Sequence, residues 1–184
     1  MNNVGINKQA RLSQHLTSSS VATLGHSNEL DGSRLSPHFT LGEMCKTSAK
    51  TQDGNIPSHV HIENLKRLCG WLEMLRSEWN KRYGEGDDPI VINSGYRSEA
   101  VNKAVGGVKG SNHLTGCAAD IRVAGIEQLV RYATILLDIS DESQEDFDEL
   151  LLERSPRGGY WLHFAVRPPS QENRRKVSLI QSLR

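Results

Sequence analysis

The chain is poor in the features that mark several common protein classes. Its three cysteines, Cys45, Cys69 and Cys117, are too few for a disulfide framework, and none belongs to a CxxC pair. No run of about 18 apolar residues occurs, so the sequence predicts no membrane span. The N-terminus lacks the apolar stretch of a secretory signal. We therefore expect reduced thiols, with a Cys45–Cys69 bridge as the open alternative, and a chain that is cytoplasmic as translated.

The sequence also lacks an excess of charge of either sign. Its 184 residues include 22 basic and 22 acidic side chains, and the pI is near 7.1. A nucleic-acid-binding domain usually carries a clear basic surplus, so we expect no nucleic-acid partner. The length suits one domain with its own core. Oligomeric state is left open by the sequence, with a monomer as the expectation.

Polarity divides the chain into two parts. Residues 1–36 are rich in serine and asparagine and show no sustained periodicity, which is typical of a flexible N-terminal arm. The folded domain is predicted to cover residues 37–184. Within it, the tail of residues 171–184 has scattered apolar positions that favour a surface helix.

Hydrophobic periodicity predicts the main elements of this domain. Apolar residues recur every three or four positions in two segments, and short alternating runs indicate strands. The predicted helices are 58–83, the short segment "EAVNKAV" and 126–137, and the predicted strands are "PIVINSGYRS", which breaks at Gly95, then 119–123, 147–153 and 160–166. This order favours an α+β fold with a small, mostly antiparallel sheet flanked by helices.

Strand alternation directs a set of polar side chains to one surface. Asp120 and His163 each lie opposite the apolar face of their strand. His113 precedes Asp120 by seven residues, and Gly116 between them permits a turn that could return the histidine to the aspartate. Two imidazoles and one carboxylate would leave a fourth zinc position open for water, as in catalytic sites. The alternative is a set of unrelated polar residues, since such a His–Asp pair is weak evidence by itself.

Several motifs in one order resemble a known family. The segment "SNHLTGCAAD" resembles the Ser-x-His-x-x-Gly-x-Ala-x-Asp signature of the zinc D-Ala-D-Ala carboxypeptidases, whose fold is shared by the hedgehog signalling domain. "HFTLGEM", "INSGYRSEAVNKAVGGVKGS" and "WLHFAV" follow the family's order across residues 37–167. The resemblance implies one Zn²⁺ per chain, with His113, Asp120 and His163 as its ligands.

The same resemblance suggests roles for further residues. Arg97, in "GYRS", matches the arginine that engages substrate and stabilises the oxyanion, and Ser111 and Trp161 match positions at the substrate pocket. Many members carry an acid three residues before the last histidine, where this chain has Tyr160. "FDELLLE" instead resembles the hedgehog-type strand that ends in glutamate. The catalytic base is therefore predicted to be Glu153, with Glu149 as the alternative.

These inferences together predict a zinc metallopeptidase of bacterial or phage origin. Its expected substrate is the stem peptide of peptidoglycan. The enzyme would act either as a D-Ala-D-Ala carboxypeptidase or as an L-Ala-D-Glu endopeptidase. Such an enzyme would reach the cell wall by phage-type release or by export. One rival is a catalytically degenerate zinc module that binds wall peptide or a protein partner. Another is a structural phage component.

Overall fold

The computed structural model describes residues 32–181 of the chain. Most of the predicted arm and the last three residues of the predicted domain lie outside the described residues. The final residues of the predicted arm contact the domain: the Ser36 hydroxyl donates to Glu73 at 2.6 Å, and Leu35 packs partly against the core. The boundary at residue 36 stays a prediction.

Helices and strands alternate in an α+β order. The helices are α1 (Leu41–Met44), α2 (His59–Arg82), α3 (Glu99–Ala104), a 3-10 helix (Asn112–Thr115) and α4 (Ile126–Ser143). The strands are β1 (Ile92–Ser94), β2 (Ala118–Arg122), β3 (Glu149–Arg154), β4 (Tyr160–Ala165) and β5 (Lys176–Gln181). The long helix α2 begins where the Ser58 hydroxyl accepts a hydrogen bond from the His61 amide, as an N-cap serine does.

The described residues form one sheet of five strands in the order β1-β2-β4-β3-β5. The first three pairings are antiparallel, whereas β5 pairs with β3 in parallel. The predicted α+β class is therefore confirmed, but the sheet is mixed, so its description as mostly antiparallel needs this correction.

The predicted surface helix at residues 171–184 is wrong, because residues 176–181 of that segment form β5. Its apolar residues, Val177, Leu179 and Ile180, fit a strand period as well as a helical one over so short a stretch. The segment forms a strand rather than a helix because its backbone pairs with the edge of β3, with Lys176 opposite Glu149. Residues 182–184 of the predicted helix lie outside the described residues.

One face of the sheet carries the core. Helices α2 and α4 pack on it and bury Ile121, Leu150, Leu162 and Phe164, all with no exposed surface. The ring of Trp71 from α2 lies 5.4 Å from that of Phe164. Side chains on the other face of β2, β3 and β4 are thereby held on a rigid support.

The cysteines take no part in cross-linking. All three lie within the described residues, and none is in a disulfide, which leaves the Cys45–Cys69 alternative unrealised. Burial raises the pKa of the Cys45 thiol to about 12 and also raises that of Cys117, so both stay protonated and unreactive near neutral pH. Across residues 32–181, no helix combines the length and apolar character that a bilayer crossing requires.

Candidate metal centre

Pairing of β2 with β4 places Asp120 directly opposite His163. Both side chains leave the face of the sheet that the helices do not cover, as the alternation of the strands predicts. The Oδ1 atom of Asp120 lies 2.9 Å from Nδ1 of His163. The sequence separation of these residues is 43 positions, so the antiparallel ladder alone makes them neighbours.

A tight turn returns His113 to the same point. The Ser111 hydroxyl accepts from the His113 amide at the start of the 3-10 helix, and Gly116 ends it with φ near 72°. A Cβ atom at Gly116 would lie 2.6 Å from the carbonyl oxygen of His61. Both this close approach and the positive φ therefore exclude a side chain at this position. The predicted role of Gly116 in this turn matches the backbone observed. Nε2 of His113 comes to 3.2 Å from Asp120 Oδ1.

The surroundings of His113 determine which ring nitrogen carries its proton. Nδ1 lies 2.6 Å from the Gly95 carbonyl oxygen, which can only accept, so Nδ1 carries the proton. Burial lowers the pKa of His113 and favours the neutral ring. Nε2 then presents a lone pair to Asp120, a second acceptor. Two acceptors at this distance repel each other unless a cation lies between them, which is an argument for a metal ion here.

The three side chains fit a tetrahedral metal site. One potential ligand atom from each of His113, Asp120 and His163 lies within 4.8 Å of the others. Zinc bonds of 2.0–2.1 Å would set neighbouring ligand atoms about 3.3 Å apart, close to the two separations above. Burial alone would raise the pKa of Asp120, but the two histidines outweigh it and hold that pKa well below its usual range. Asp120 is thus ionised, as a metal ligand must be.

Glu149 supports His163 from the side away from Asp120. Its Oε2 lies 3.5 Å from His163 Nε2, which is an ion-pair distance rather than a hydrogen bond. A carboxylate here favours a proton on Nε2 and leaves Nδ1 free to bind metal, the usual arrangement behind a metal-bound histidine. The adjacent His163 ring, together with Lys176 and Arg174, outweighs the effect of burial and lowers the pKa of Glu149 to about 2.

Arg97 contacts the candidate ligand Asp120. Its Nη2 donates to Asp120 Oδ2, and its Nε donates to the Ser94 hydroxyl at 2.8 Å. The guanidinium therefore holds the carboxylate so that Oδ1 faces the two histidines. The resemblance predicts that Arg97 engages substrate. The structure places Arg97 beside the candidate ligand Asp120 and on the wall of the adjoining cleft, so it can both orient Asp120 and contact a substrate.

An open cleft of about 810 Å³ lies over this centre. The predicted substrate residues Ser111 and Trp161 line it, as do both predicted bases, Glu149 and Glu153. Glu153 stands opposite Trp161 in the β3–β4 ladder, on the same face as His163. Every residue that the sequence nominated for the site thus borders one cavity or its floor.

Comparison with known proteins agrees with this geometry. Residues 37–138, more than half of the chain, match the family described as Peptidase M15. The chain belongs to the M15 peptidase family. The matched segment includes Arg97, Ser111, His113 and Asp120, whereas His163 and both glutamates lie beyond it and are brought to the site by the fold.

A curated relative carries the same indication. The zinc D-Ala-D-Ala carboxypeptidase of Streptomyces albus G is 30% identical over 84 residues. These residues are 46% of this chain and 31% of that protein, so the match spans less than a third of the relative's length. The relative's name supports the zinc predicted for the His-Asp-His group of this M15 chain.

Sequence reasoning missed Asp148, which organises one side of this M15 site. The side chain is fully buried, and its oxygens accept from Arg174 Nε and Nη2 at 2.7 Å each and from Asn112 Nδ2 at 2.8 Å. Arg167 Nε lies 2.9 Å from it. Asp148 thereby joins the helix of His113 to the segment that leads into β5. The available signal was an acid directly after Phe147, at the start of a predicted strand.

Proposed function

We propose that this chain is a zinc-dependent peptidase that hydrolyses the stem peptides of peptidoglycan. The observation that carries the proposal is the convergence of His113, Asp120 and His163 at the floor of an open cleft. A structural zinc site is usually closed by four protein ligands, whereas three ligands beside a cleft leave a position for water. Membership of a peptidase family supports hydrolysis of a peptide bond.

The relative's name supports the substrate class. A D-Ala-D-Ala carboxypeptidase acts at D-alanine, and the open cleft here accommodates an extended peptide, so both a carboxypeptidase and an L-Ala-D-Glu endopeptidase remain within the proposal. The hedgehog-like fold implied by the motifs belongs to the same proposal. Because stem peptides lie outside the cytoplasmic membrane, the enzyme would reach them by release or export.

The residues of the cleft divide the chemistry between them. Zinc, when bound, supplies a Lewis acid and lowers the pKa of water to about 7. The carboxylate of Glu153 would accept a proton during attack on the scissile carbonyl and return it to the leaving amine. The Arg97 guanidinium, which already faces the cleft, would stabilise negative charge as it develops on the carbonyl oxygen. Ser111 and Trp161 would contact the peptide on the cleft wall.

The contacts of Glu149 favour Glu153 as the base. Glu149 Oε1 lies 3.0 Å from Arg174 Nη2 and 3.2 Å from Lys176 Nζ, and Oε2 accepts from Asn112 at 3.1 Å while facing His163. Both oxygens are therefore engaged in holding the site. A carboxylate with four such partners is suited to positioning His163 rather than to taking a proton from water.

A second candidate function is a zinc-binding module without turnover. The observation that favours it is Tyr160, which stands where many members of the family have an acid. In that case the cleft would bind wall peptide or a protein partner and leave it intact.

One pair of measurements separates the candidates. Purified protein loaded with zinc is incubated with muropeptides, and the products are identified by mass spectrometry. We expect cleavage and about one zinc per chain. His113→Ala should lose both, whereas His59→Ala, on the exposed first turn of α2, should lose neither. Zinc retained in full by His113→Ala would overturn the ligand assignment, and a zinc-loaded wild type that binds but never cleaves would establish the binding module.

A further inference from the structure

Three cations line one end of the cleft, beside the metal centre. They are Arg167, Arg174 and Lys176, whose side chains are 26%, 45% and 47% exposed. Arg167 follows β4, and the other two precede and begin β5. We name this group the cationic wall.

The acids around the wall do not cancel its charge. Asp148 binds Arg167 and Arg174 from behind and is itself fully buried, so it presents no carboxylate to the cleft. Glu149 binds Arg174 and Lys176. Three positive charges therefore meet two negative ones, and of those only Glu149 lines the cavity. Within the wall and its direct partners, the surplus is therefore one positive charge.

Lys176 has the geometry to bind a further anion. It pairs with Glu149 across the β3–β5 ladder, and its Nζ lies 3.2 Å from Glu149 Oε1. An ammonium group has three N–H donors, so a second carboxylate can be bound while this contact persists. Arg174, by contrast, is held at two nitrogens by Asp148. The wall thus combines a fixed guanidinium with a mobile point charge.

The position of the wall relates it to the reacting bond. Glu149 contacts His163 through one oxygen and Lys176 through the other. The carboxylate of Glu149 and the imidazole of His163 are thus the only groups in this chain of contacts between Lys176 and the candidate metal position. A group bound there belongs to a residue at or near the scissile bond.

We propose that the cationic wall binds a free carboxylate of the substrate, with Lys176 as its specificity-determining residue. This inference rests on the proposed peptidase function and narrows it to anionic peptides. Two carboxylates of a stem peptide have the required chemistry: the C-terminal carboxylate and the α-carboxylate of D-glutamate. Recognition of one or of the other carboxylate would give different cleavage products. Each carboxylate can be blocked separately by amidation.

The test compares zinc-loaded wild type with Lys176→Met on the pentapeptide L-Ala-γ-D-Glu-L-Lys-D-Ala-D-Ala, in which lysine is joined to the γ-carboxyl of D-glutamate. Two analogues, each amidated at one of these carboxylates, are compared alongside it. A charge-assisted contact at a half-exposed site should make Lys176→Met about tenfold worse in kcat/KM, mainly through KM. On the analogue that lacks the recognised carboxylate, wild type and variant should be equal. Lys176→Arg should recover most of the loss. Lys81 has an exposed side chain that pairs with Glu78 on α2. Lys81→Met is therefore the matched control and should leave every rate unchanged.

The pattern of results also separates this inference from the function on which it rests. A purely positioning role for Lys176 would lower kcat equally on all three peptides, and that outcome would overturn the inference while leaving the peptidase intact. Equal cleavage of all three peptides by the wild type would also overturn it. If no peptide is cleaved, titration calorimetry with the same peptides still decides: weaker binding of one amidated analogue supports the wall, and equal binding of all three rejects it.

Discussion

The two faces of the sheet use the same strands for opposite purposes. On the helix-covered face, Leu150, Leu162 and Phe164 are completely buried among other apolar side chains. On the other face, the neighbouring positions Glu149 and His163 are polar and border a cleft. Because alternate residues of one strand serve both faces, the packing of the core determines the positions of the ligands. A rigid support of this kind is what a metal centre needs.

The comparison predicts that damage to the core face changes stability most. Phe164→Ala would remove a ring packed between Trp71 and Phe147, at centroid distances of 5.4 and 5.7 Å, and should cost about 3–5 kcal/mol. Thermal unfolding should then begin about 10 °C or more lower. Val130→Ala, at a half-exposed position on α4, is the control and should shift the midpoint little. Equal shifts in the two variants would show that the face is not a tightly packed core.

Changes on the cleft face should leave stability intact and remove chemistry instead. Glu153→Gln keeps the shape of the side chain but cannot accept a proton. Turnover of muropeptide should fall by about 10²-fold or more, with zinc content and unfolding midpoint unchanged. Wild-type turnover in Glu153→Gln, combined with a large loss in Glu149→Gln, would move the base to Glu149.

Glu149 is expected to lie between these two behaviours, because its proposed role is to support His163 rather than to react. Glu149→Gln keeps a group beside His163 Nε2 but removes the charge, so zinc affinity should fall by about 10–100-fold. Competition with a chelator measures this directly, and saturating zinc should restore much of the activity. A loss of turnover that excess zinc leaves unchanged would assign Glu149 a direct part in the reaction.

The smallest effect is expected from the N-terminal arm. Deleting residues 1–31 should change the unfolding midpoint by less than about 5 °C, because that polar segment offers few apolar groups to a core. Deleting residues 1–36 also removes Leu35 and the hydrogen bond from Ser36 to Glu73, and should cost somewhat more. A large fall already in the shorter deletion would contradict the assignment of residues 1–36 as an arm.

Much of the fold could be predicted because its signals are local. The apolar stripe of α2 extends from Ile62 to Trp79, and the helix observed at His59–Arg82 lies within one residue of the predicted 58–83. Helix α4 continues to Ser143, beyond the predicted end at 137, since its polar last turns carry little periodic signal. The same alternation that predicts β2 and β4 also directs Asp120 and His163 to one face.

Sequence alone thus determined the α+β class, the shared face of the candidate ligands and the turn at Gly116, because each depends on residues close together in the chain. The tertiary structure decided what depends on distant partners. It paired β5 with β3, placed Arg97 on Asp120, and used both oxygens of Glu149 for Arg174, Lys176, Asn112 and His163. It also buried Asp148 and paired it with Arg174, 26 residues further along the chain. No local pattern encodes such contacts, since their free energy arises only when the fold removes water from both partners.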